Sequence, residues 1–195
     1  MDYEDMNKET LIKILREKDV VLEKLYMERE KLNYYASTDV MTGVLNRRSG
    51  LKLLDKELNL SKIGNINLII CFVDVDELKT VNDNFGHQEG DKILINTAKI
   101  LKDSIRRTDF VIRMGGDEFL VVFPGVTMEE VHKIWHRIEE KLKACNENNG
   151  NYNFSLSCGL CECRKGMQSE MSVEDLIKNA DFEMYNEKLQ KKKEL

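Results

Sequence analysis

Two acidic pairs are the part of this sequence best suited to chemistry. Asp117 and Glu118 follow a pair of glycines, and Asp74 and Asp76 follow a run of apolar residues. Carboxylates bind an anionic ligand through a metal ion, and Mg²⁺ takes oxygen ligands of this kind. Taken alone, Asp117 and Glu118 have a structural alternative as ordinary acids at an exposed turn. The presence of a second acidic pair favours a metal site.

The residues around the glycines predict a tight β-hairpin. Runs of β-branched and aromatic residues flank Gly115-Gly116 within residues 110–123. A two-residue turn of the primed type needs positive φ at both central residues, which glycine adopts without steric cost. We therefore expect Gly115 and Gly116 to be the central residues and Asp117 and Glu118 to begin the second strand.

Residues 66–73 predict the central strand of a sheet. They are almost continuously apolar, which is typical of a strand covered on both faces. Asp74 and Asp76 then lie where this strand ends, and ligands of open α/β sheets bind at strand ends. Lys79 and Asn82 follow in a short helical turn. Gly90-Asp91 is expected to open a helix to about residue 107, where Asp91 has an alternative as a capping acid.

The remaining pattern predicts an α/β (α+β) domain with a mixed sheet covered by helices. Asn46 is a good N-cap for a helix to about residue 60, and Arg47 and Arg48 are either surface charges or partners of Asp39. Further helices are expected over residues 126–145 and 173–188, with a strand over 153–162. In that strand, Cys158 and Cys161 should face opposite sides, as packed thiols rather than zinc ligands.

Residues 4 to about 37 predict a long N-terminal helix. Its apolar positions alternate in steps of three and four, with two polar interruptions, at Leu11, Ile14, Lys18, Val21, Leu25, Glu28, Leu32 and Tyr35. Such a narrow stripe is typical of a two-stranded coiled coil. The alternative is a helix packed on its own domain. We interpret residues 1–37 as a helical stalk and residues 38–195 as the domain that it precedes.

Composition narrows the class of protein. The 195 residues carry a net charge of −5, whereas general nucleic-acid binding needs a basic surface. No apolar run is long enough for a transmembrane helix, and the N-terminus lacks a secretory signal. Five cysteines without a disulfide framework fit a reducing cytoplasm. We therefore expect a cytoplasmic protein without a membrane segment or a nucleic-acid partner.

Several motifs together resemble the GGDEF family of diguanylate cyclases. The signature is Gly115-Gly-Asp117-Glu118-Phe119, and the upstream segments start at Asp39 and at Phe72. The first reads Asp-x-Met-Thr-Gly-Val-x-Asn-Arg-Arg, and the second reads Phe-Val-Asp-Val-Asp-Glu-Leu-Lys-x-Val-Asn-Asp-x-Phe-Gly-His-x-x-Gly-Asp. Ser157-x-Gly159 resembles the late strand of the family. The resemblance covers residue 39 to about residue 192.

The resemblance implies a palm-like nucleotidyl cyclase domain that joins two GTP molecules into cyclic di-GMP and releases pyrophosphate. Each chain would hold one GTP, so the reaction needs a homodimer, here through the N-terminal coiled coil. The implied ligands of Mg²⁺, with Mn²⁺ as an alternative, are Asp74, the Val75 carbonyl, Asp117 and Glu118. Asp117 and Glu118 are the implied catalytic residues, with Asp117 as metal ligand and general base. The alternative is that the metal ion lowers the pKa of the attacking hydroxyl enough to make a dedicated base unnecessary.

The family pattern also assigns substrate-binding residues. Lys79 matches a phosphate-binding position, and Asn82 and Asp91 match the pair that recognises guanine. The family's usual ending, Ala-Lys followed two residues later by Gly-Arg-Asn, appears here as Glu187-Lys188-Leu-Gln-Lys191-Lys192. Lys188 matches the phosphate-binding lysine. Lys192 stands in place of arginine and loses the planar bidentate fork, which weakens the expected hold on the triphosphate by a modest factor.

Arg106 and Asp109 match the Arg-x-x-Asp of the family's inhibitory site, and Arg113 is a further candidate there. The implied ligand is the product, cyclic di-GMP, bound through its phosphates and guanine edges. The structural alternative is a helix C-terminus that favours positive charge. Two other functions stay open: a catalytically silent module that binds GTP or cyclic di-GMP, and a purely structural coiled-coil dimeriser.

Overall fold

The computed structural model describes residues 6–149, 152–163 and 171–194. Its contacts divide the chain into two compact units, Met1–Ser37 and Thr38–Leu195. The elements in chain order are α1 (Lys8–Ser37), β1 (Leu45–Asn46), α2 (Arg47–Gly64), β2 (Leu68–Val75), α3 (Leu78–Phe85), α4 (His87–Lys102), β3 (Phe110–Gly115), β4 (Glu118–Pro124), α5 (Met128–Asn149), β5 (Leu156–Cys163) and α6 (Val173–Glu194).

In its described residues, the first unit consists of the helix α1, which confirms the predicted long N-terminal helix. The side chain of Asn7 caps it by accepting a hydrogen bond from the Thr10 amide at 2.9 Å. The predicted start at residue 4 lies outside the described residues. None of the residues of α1 is buried, and Leu25 and Leu32 of the predicted seam are 56% and 62% exposed.

The second unit is built on a five-stranded mixed sheet in the order β1-β3-β4-β2-β5. β1 runs parallel to β3, and the other neighbouring strands are antiparallel. All eight residues of β2 are buried, which confirms the covered central strand predicted from the apolar run. The strand continues through Asp74 and Val75, two residues beyond the predicted end, so that Asp74 belongs to the sheet itself.

Helices cover both faces of the sheet. Alternate residues of β2, such as Cys71 and Val73, pack in one core with α3, α4 and α5. The others, such as Ile70 and Phe72, pack in a second core with α2 and α6. Full burial of each large apolar side chain contributes about 1.5–3 kcal/mol, so these two cores hold β2 in place from both sides. Asp74, near the end of β2, is therefore held on a strand that is covered on both faces.

α6 lies very close to β5. A Cβ atom on Gly159 would come within 2.0 Å of the Ala180 carbonyl oxygen and 2.1 Å of the Met184 amide nitrogen. Only glycine allows this approach. Cys158 packs against the first core and Cys161 against the second, which confirms that they face opposite sides of the strand.

The predicted position of the hairpin turn is wrong by one residue. Arg113 pairs with Phe119, but the next pair is Gly115 with Glu118, and the shift leaves Met114 as a bulge. Gly116, with φ of 50°, and Asp117 are therefore the turn residues. A bulge of this kind inserts one residue into one strand and increases the local twist. Glu118 begins β4 as expected, whereas Asp117 belongs to the turn.

The predicted start of α4 is also wrong. The helix begins at His87, after Gly86 with φ of 88°, and it ends at Lys102 rather than near residue 107. Asp91 is consequently the fifth helical residue. Because the helix dipole acts within the first turn, the capping alternative for Asp91 does not apply.

The segment before α2 is held by side chains. Asn46 caps α2 by accepting a hydrogen bond from the Ser49 amide at 3.0 Å, which confirms its predicted role. The cation that binds Asp39 is Arg113, at 3.0 Å, rather than Arg47 or Arg48, which are exposed. No helix in the described ranges combines the length and hydrophobicity required to cross a membrane.

Candidate active site

The sheet register brings the two acidic pairs together. Asp74 on β2 lies directly opposite Glu118 on β4 and, on its other side, opposite Ser157 on β5. The Val75 amide donates a hydrogen bond to the Asp117 carbonyl at 3.2 Å, which ties the hairpin turn to the end of β2. Directly opposite residues of antiparallel strands share a face, so Asp74 and Glu118 point to the same side of the sheet.

Asp74 is 8% exposed and forms an ion pair with Lys188, whose Nζ lies 2.5 Å from Oδ1. Burial raises the pKa of Asp74, Lys188 opposes that rise, and repulsion from Asp117 and Asp76 adds to it, so that the pKa stays above its ordinary value. Burial lowers the pKa of Lys188, but the hydrogen bond to Asp74 and the nearby acids outweigh it, and that pKa is raised. Lys188 is therefore charged at neutral pH and neutralises one acid.

Glu118 is only half-buried, yet its pKa is also raised, which favours the neutral form of its carboxyl group. Burial raises the pKa of Glu118, and the charges of Asp117, Asp74 and Asp181 raise it further, against an opposing effect of Arg47. The site thus carries more negative charge than its own cations neutralise. Such an excess favours the binding of a cation.

A cleft of about 500 Å³ opens beside the hairpin turn. It is lined by Asp117 and by four lysines, Lys79, Lys188, Lys191 and Lys192. A cleft of this volume can hold a nucleotide, and several ammonium groups can bind a polyphosphate. The structure therefore brings together all three lysines predicted to bind phosphate, together with Lys191, which was not predicted.

Asp76 is held by the neighbouring strand. Its carboxylate accepts hydrogen bonds from the hydroxyls of Ser155 at 2.6 Å and Ser157 at 2.7 Å, and its amide donates to the Ser155 carbonyl at 2.9 Å. Lys191 lies 3.8 Å from the same carboxylate. Asp76 therefore fixes the chain just beyond β2. The sequence showed these serines only as part of a late strand, without a partner.

Asn82 and Asp91, the predicted guanine-recognition pair, lie at the junction of α3 and α4. A Cβ atom on Gly90 would come within 2.0 Å of the Asn82 Oδ1 atom, so the amide lies against the glycine that precedes Asp91. Asn82 is half-buried and Asp91 is exposed. Neither lines the lysine-rich cleft, and the assignment of this pair to guanine stays a prediction.

Arg106 and Asp109 form a closed turn ahead of β3. The Arg106 amide donates to Asp109 Oδ2 at 3.0 Å, and its guanidinium contacts Oδ1 at 3.4 Å. The Asp109 side chain is fully buried, whereas that of Arg106 is about half exposed. α4 ends at Lys102, so the helix C-terminus alternative does not account for Arg106. Arg137 on α5 lines a hollow of about 240 Å³ with Arg106, and it was not predicted from the sequence.

Arg113 lies at the opposite end of β3 from Arg106. Its guanidinium binds the Asp39 carboxylate and donates to the Gly116 carbonyl at 2.9 Å. The structure thus separates Arg113 from the other two predicted product-binding residues and places it as a support of the hairpin turn.

The family profile described as "Diguanylate cyclase, GGDEF domain" matches residues 36–194. This span is most of the chain and contains every site residue described above. The chain belongs to the GGDEF family.

Relatives of this GGDEF domain include named cyclases. Diguanylate cyclase DgcS of Shewanella oneidensis is 32% identical over 164 residues, which are 83% of this chain and 53% of that protein. The uncharacterised protein YtrP of Bacillus subtilis is 32% identical over 162 residues, 83% of this chain and 26% of that protein. The chain therefore spans about half or less of the length of these two curated relatives.

Solved structures confirm the predicted fold class. Diguanylate cyclase SiaD of Pseudomonas aeruginosa, crystallised with its activator SiaC, superposes with a TM-score of 0.75 at 26% identity, over 93% of this chain and 69% of that one. The coiled coil and GGDEF domain of DgcB from Caulobacter crescentus, in complex with c-di-GMP, gives a TM-score of 0.77 over 93% of this chain and 95% of that one. Its identity of 23% supports the fold alone.

The oxygen donors of this GGDEF domain fit Mg²⁺ by their chemistry. Asp74, Asp117, Glu118 and the Val75 carbonyl supply hard oxygens at adjoining backbone positions. In the part of the chain that the structure describes, no three His, Cys, Asp or Glu side chains already form a metal-binding cluster. The Asp74 carboxylate is instead paired with Lys188. The donor set therefore suits the ion without being a preformed cage.

Proposed function

We propose that this chain is an active diguanylate cyclase, which condenses two GTP molecules into cyclic di-GMP and two pyrophosphates in the bacterial cytoplasm. The observation that carries the proposal is the position of Asp74 directly opposite Glu118, with the Asp117 turn bonded to Val75 beside a lysine-lined cleft. All five cysteines are free thiols, as expected in a reducing compartment.

In this proposal the lysines bind the triphosphate. Lys79, Lys188 and Lys192 line one cleft, and their ammonium groups offset the charge of the phosphates. Asn82 and Asp91 recognise guanine, because an ionised Asp accepts hydrogen bonds from both the N1–H and the exocyclic amine of guanine, whereas adenine has no hydrogen on N1. Once a bound base covers the Asp91 carboxylate, leaving it unpaired costs about 1–3 kcal/mol, so the site prefers GTP over ATP.

The acids activate the reacting groups. Asp74, the Val75 carbonyl, Asp117 and Glu118 would hold Mg²⁺, and the ion would stabilise the negative charge that develops at the α-phosphorus. Asp117 accepts the proton of the 3′-hydroxyl that attacks the α-phosphate of the other GTP. A carboxylate suits this role when it lies within hydrogen-bonding reach of the hydroxyl.

Cyclisation needs two such sites facing each other, and we assign α1 to dimerisation. Val21, Leu25 and Leu32 of its predicted seam are exposed, and apolar residues in steps of three and four are buried when two helices pair. A two-stranded coiled coil would hold two catalytic domains at high effective concentration. The product would feed back through Arg106, whose half-exposed guanidinium is suited to a phosphate.

A second candidate is a module that binds GTP or cyclic di-GMP without turnover. The observation in its favour is the C-terminal motif, in which Lys192 replaces the usual arginine and Glu187 and Lys191 replace alanine and glycine. These changes affect the triphosphate end of the cleft. The acids that we propose as metal ligands match the family pattern, and for that reason we favour the active enzyme.

Incubation with GTP and Mg²⁺ followed by chromatography of the nucleotides tests the proposal. The wild type is expected to form cyclic di-GMP, and the Asp117→Ala/Glu118→Ala double variant is expected to form none. Glu129→Ala, at an exposed ion pair on α5, is the matched control and should match the wild type. Product from the double variant would show that the site is wrongly assigned. Binding without product in the wild type would support the silent module.

A further inference from the structure

The C-terminal turns of α6 are attached to the edge of the sheet by two side chains. β5 is an edge strand, so one row of its backbone groups has no strand partner in the described part of the chain. Glu187 Oε2 accepts a hydrogen bond from the Cys158 amide at 2.9 Å, and Lys191 Nζ donates to the Leu156 carbonyl at 2.6 Å. Backbone groups at a sheet edge need partners of this kind when water does not supply them.

The same two side chains bind each other. Glu187 and Lys191 are one helical turn apart, and Lys191 Nζ lies 2.8 Å from Glu187 Oε1. A Glu four residues before a Lys is the favourable orientation for such a pair on a helix. Lys191 also lies 3.4 Å from the Ser157 hydroxyl, which itself holds Asp76. The contacts therefore extend from α6 to the residue just beyond the acid-bearing strand.

Lys188 lies in the same helical turn, next to Glu187. Its ammonium group contacts Asp74 and lines the cleft that we assign to the triphosphate. A lysine side chain is long and flexible, so the place that its ammonium group reaches depends on where the helix backbone is held. Glu187 and Lys191 hold the backbone on both sides of Lys188.

We propose that Glu187 and Lys191 are positioning residues for Lys188. As a pair they fix the last turns of α6 on β5, and this places the Lys188 ammonium group at the acids and the triphosphate. The inference rests on the proposed function, because it takes the cleft as the nucleotide site. Alanine and glycine, the residues of the family pattern at these two positions, cannot make either contact.

The test compares Glu187→Ala, Glu187→Gln and Lys191→Met with the wild type. Affinity is measured by calorimetry, with Mg²⁺ and a GTP analogue carrying a methylene bridge between the α- and β-phosphates. Hydrogen exchange of the Cys158 amide reports the contact between α6 and β5, and thermal unfolding reports stability. Glu129→Ala is the control, because Glu129 and Lys133 form the same kind of i,i+4 pair in an exposed position.

Glu187→Ala is expected to bind the analogue about tenfold more weakly, as a misplaced binding group does. Exchange of the Cys158 amide should be faster, with the melting temperature lowered by only about 3 °C. Glu187→Gln keeps an acceptor for the amide, so amide protection and part of the affinity should be restored. Lys191→Met removes both an attachment of α6 to β5 and one of the lysines that line the cleft, so it should weaken binding, and the control should change neither readout.

Two results would overturn the inference. Unchanged affinity in Glu187→Ala despite faster exchange would mean that the contact does not position Lys188, and unchanged exchange would mean that the contact does not form. Failure of the proposed function is distinguishable from both. A wild type that binds the analogue but forms no product removes the catalytic proposal and leaves the positioning result standing. A wild type that does not bind the analogue removes both.

Discussion

Glu118→Gln should stabilise the metal-free domain at neutral pH, although it removes a proposed catalytic residue. Glu118 lies directly opposite Asp74, and Asp117, Asp74 and Asp181 all raise its pKa beyond the effect of burial. Glutamine has the same shape without the charge. Active sites commonly lose stability to repulsion of this kind, and removing the charge restores it.

The structure sets the size of the effect. Like charges directly opposite each other on antiparallel strands cost about 0.2–1 kcal/mol. We expect the free energy of unfolding to rise by about 0.5–1 kcal/mol, and the melting temperature to rise by about 1–4 °C for a chain of this size. Glu129→Gln is the matched control, since Glu129 is exposed and its hydrogen bond to Lys133 lowers its pKa.

The stabilisation by Glu118→Gln should increase as the pH rises. The pKa values of Asp74 and Glu118 are raised from ordinary values of 3.8 and 4.5. The folded state therefore binds protons more tightly than the unfolded state, and stability is lost as the pH rises through this window. The variant and the wild type should be equally stable at about pH 3 and diverge above about pH 4, with the full difference present at neutral pH.

Urea unfolding followed by circular dichroism in EDTA, over this pH range, measures the difference. Adding Mg²⁺ at about 10 times its Kd should stabilise the wild type by about 1.4 kcal/mol, and the variant by less, because a ligand is lost. A variant that is less stable than the wild type in EDTA at neutral pH would refute the repulsion argument. Equal stabilisation by Mg²⁺ would refute the assignment of Glu118 as a ligand.

Three further predictions follow from the other parts of the structure. Gly90→Ala places a Cβ atom 2.0 Å from Asn82 Oδ1 and must displace that side chain. Calorimetry should show that the affinity for GTP is at least about tenfold lower. The free energy of unfolding should change by no more than about 1 kcal/mol, because alanine is the better helix former. Unchanged affinity would show that Asn82 takes no part in guanine recognition. Arg106→Ala should weaken binding of cyclic di-GMP by at least about tenfold through loss of a charged phosphate contact, and equal affinity by calorimetry would exclude the site. Deleting residues 1–35 should make the rate per mole of enzyme fall steeply on dilution; a rate that is independent of concentration would contradict dimerisation through α1.

The local features of this domain were predictable from its sequence. The apolar run before Asp74 and the cap at Asn46 depend on residues that are neighbours in the chain, and the structure has both. The predicted position of the hairpin turn was wrong because the bulge at Met114 depends on how β3 pairs with β4, which no local signal shows. The start of α4 was misplaced because two glycines were candidates. Gly86 breaks the chain with positive φ, whereas Gly90 is glycine because Asn82 lies against it.

The missed site residues depend on contacts between distant parts of the chain. The partner of Asp39 is Arg113, 74 residues away, while Arg47 and Arg48 were the candidates close in sequence. Glu187 and Lys191 show a helical ion-pair spacing in the sequence, and that spacing was the one available signal. Their role at β5 depends on that strand being at the edge of the sheet, and strand order is a property of the whole fold.

β2 pairs with β4 and with β5 without any shift in register. Among the described strands, the register shifts only in β3, at Met114. A single inserted or deleted residue within β4 would therefore turn Glu118 to the opposite face, away from Asp74. During evolution, changes in chain length are tolerable in loops and at the β3 bulge, but not in the central strands. Anyone grafting this acidic site onto another scaffold must copy the pairing register of the strands as well as the side chains.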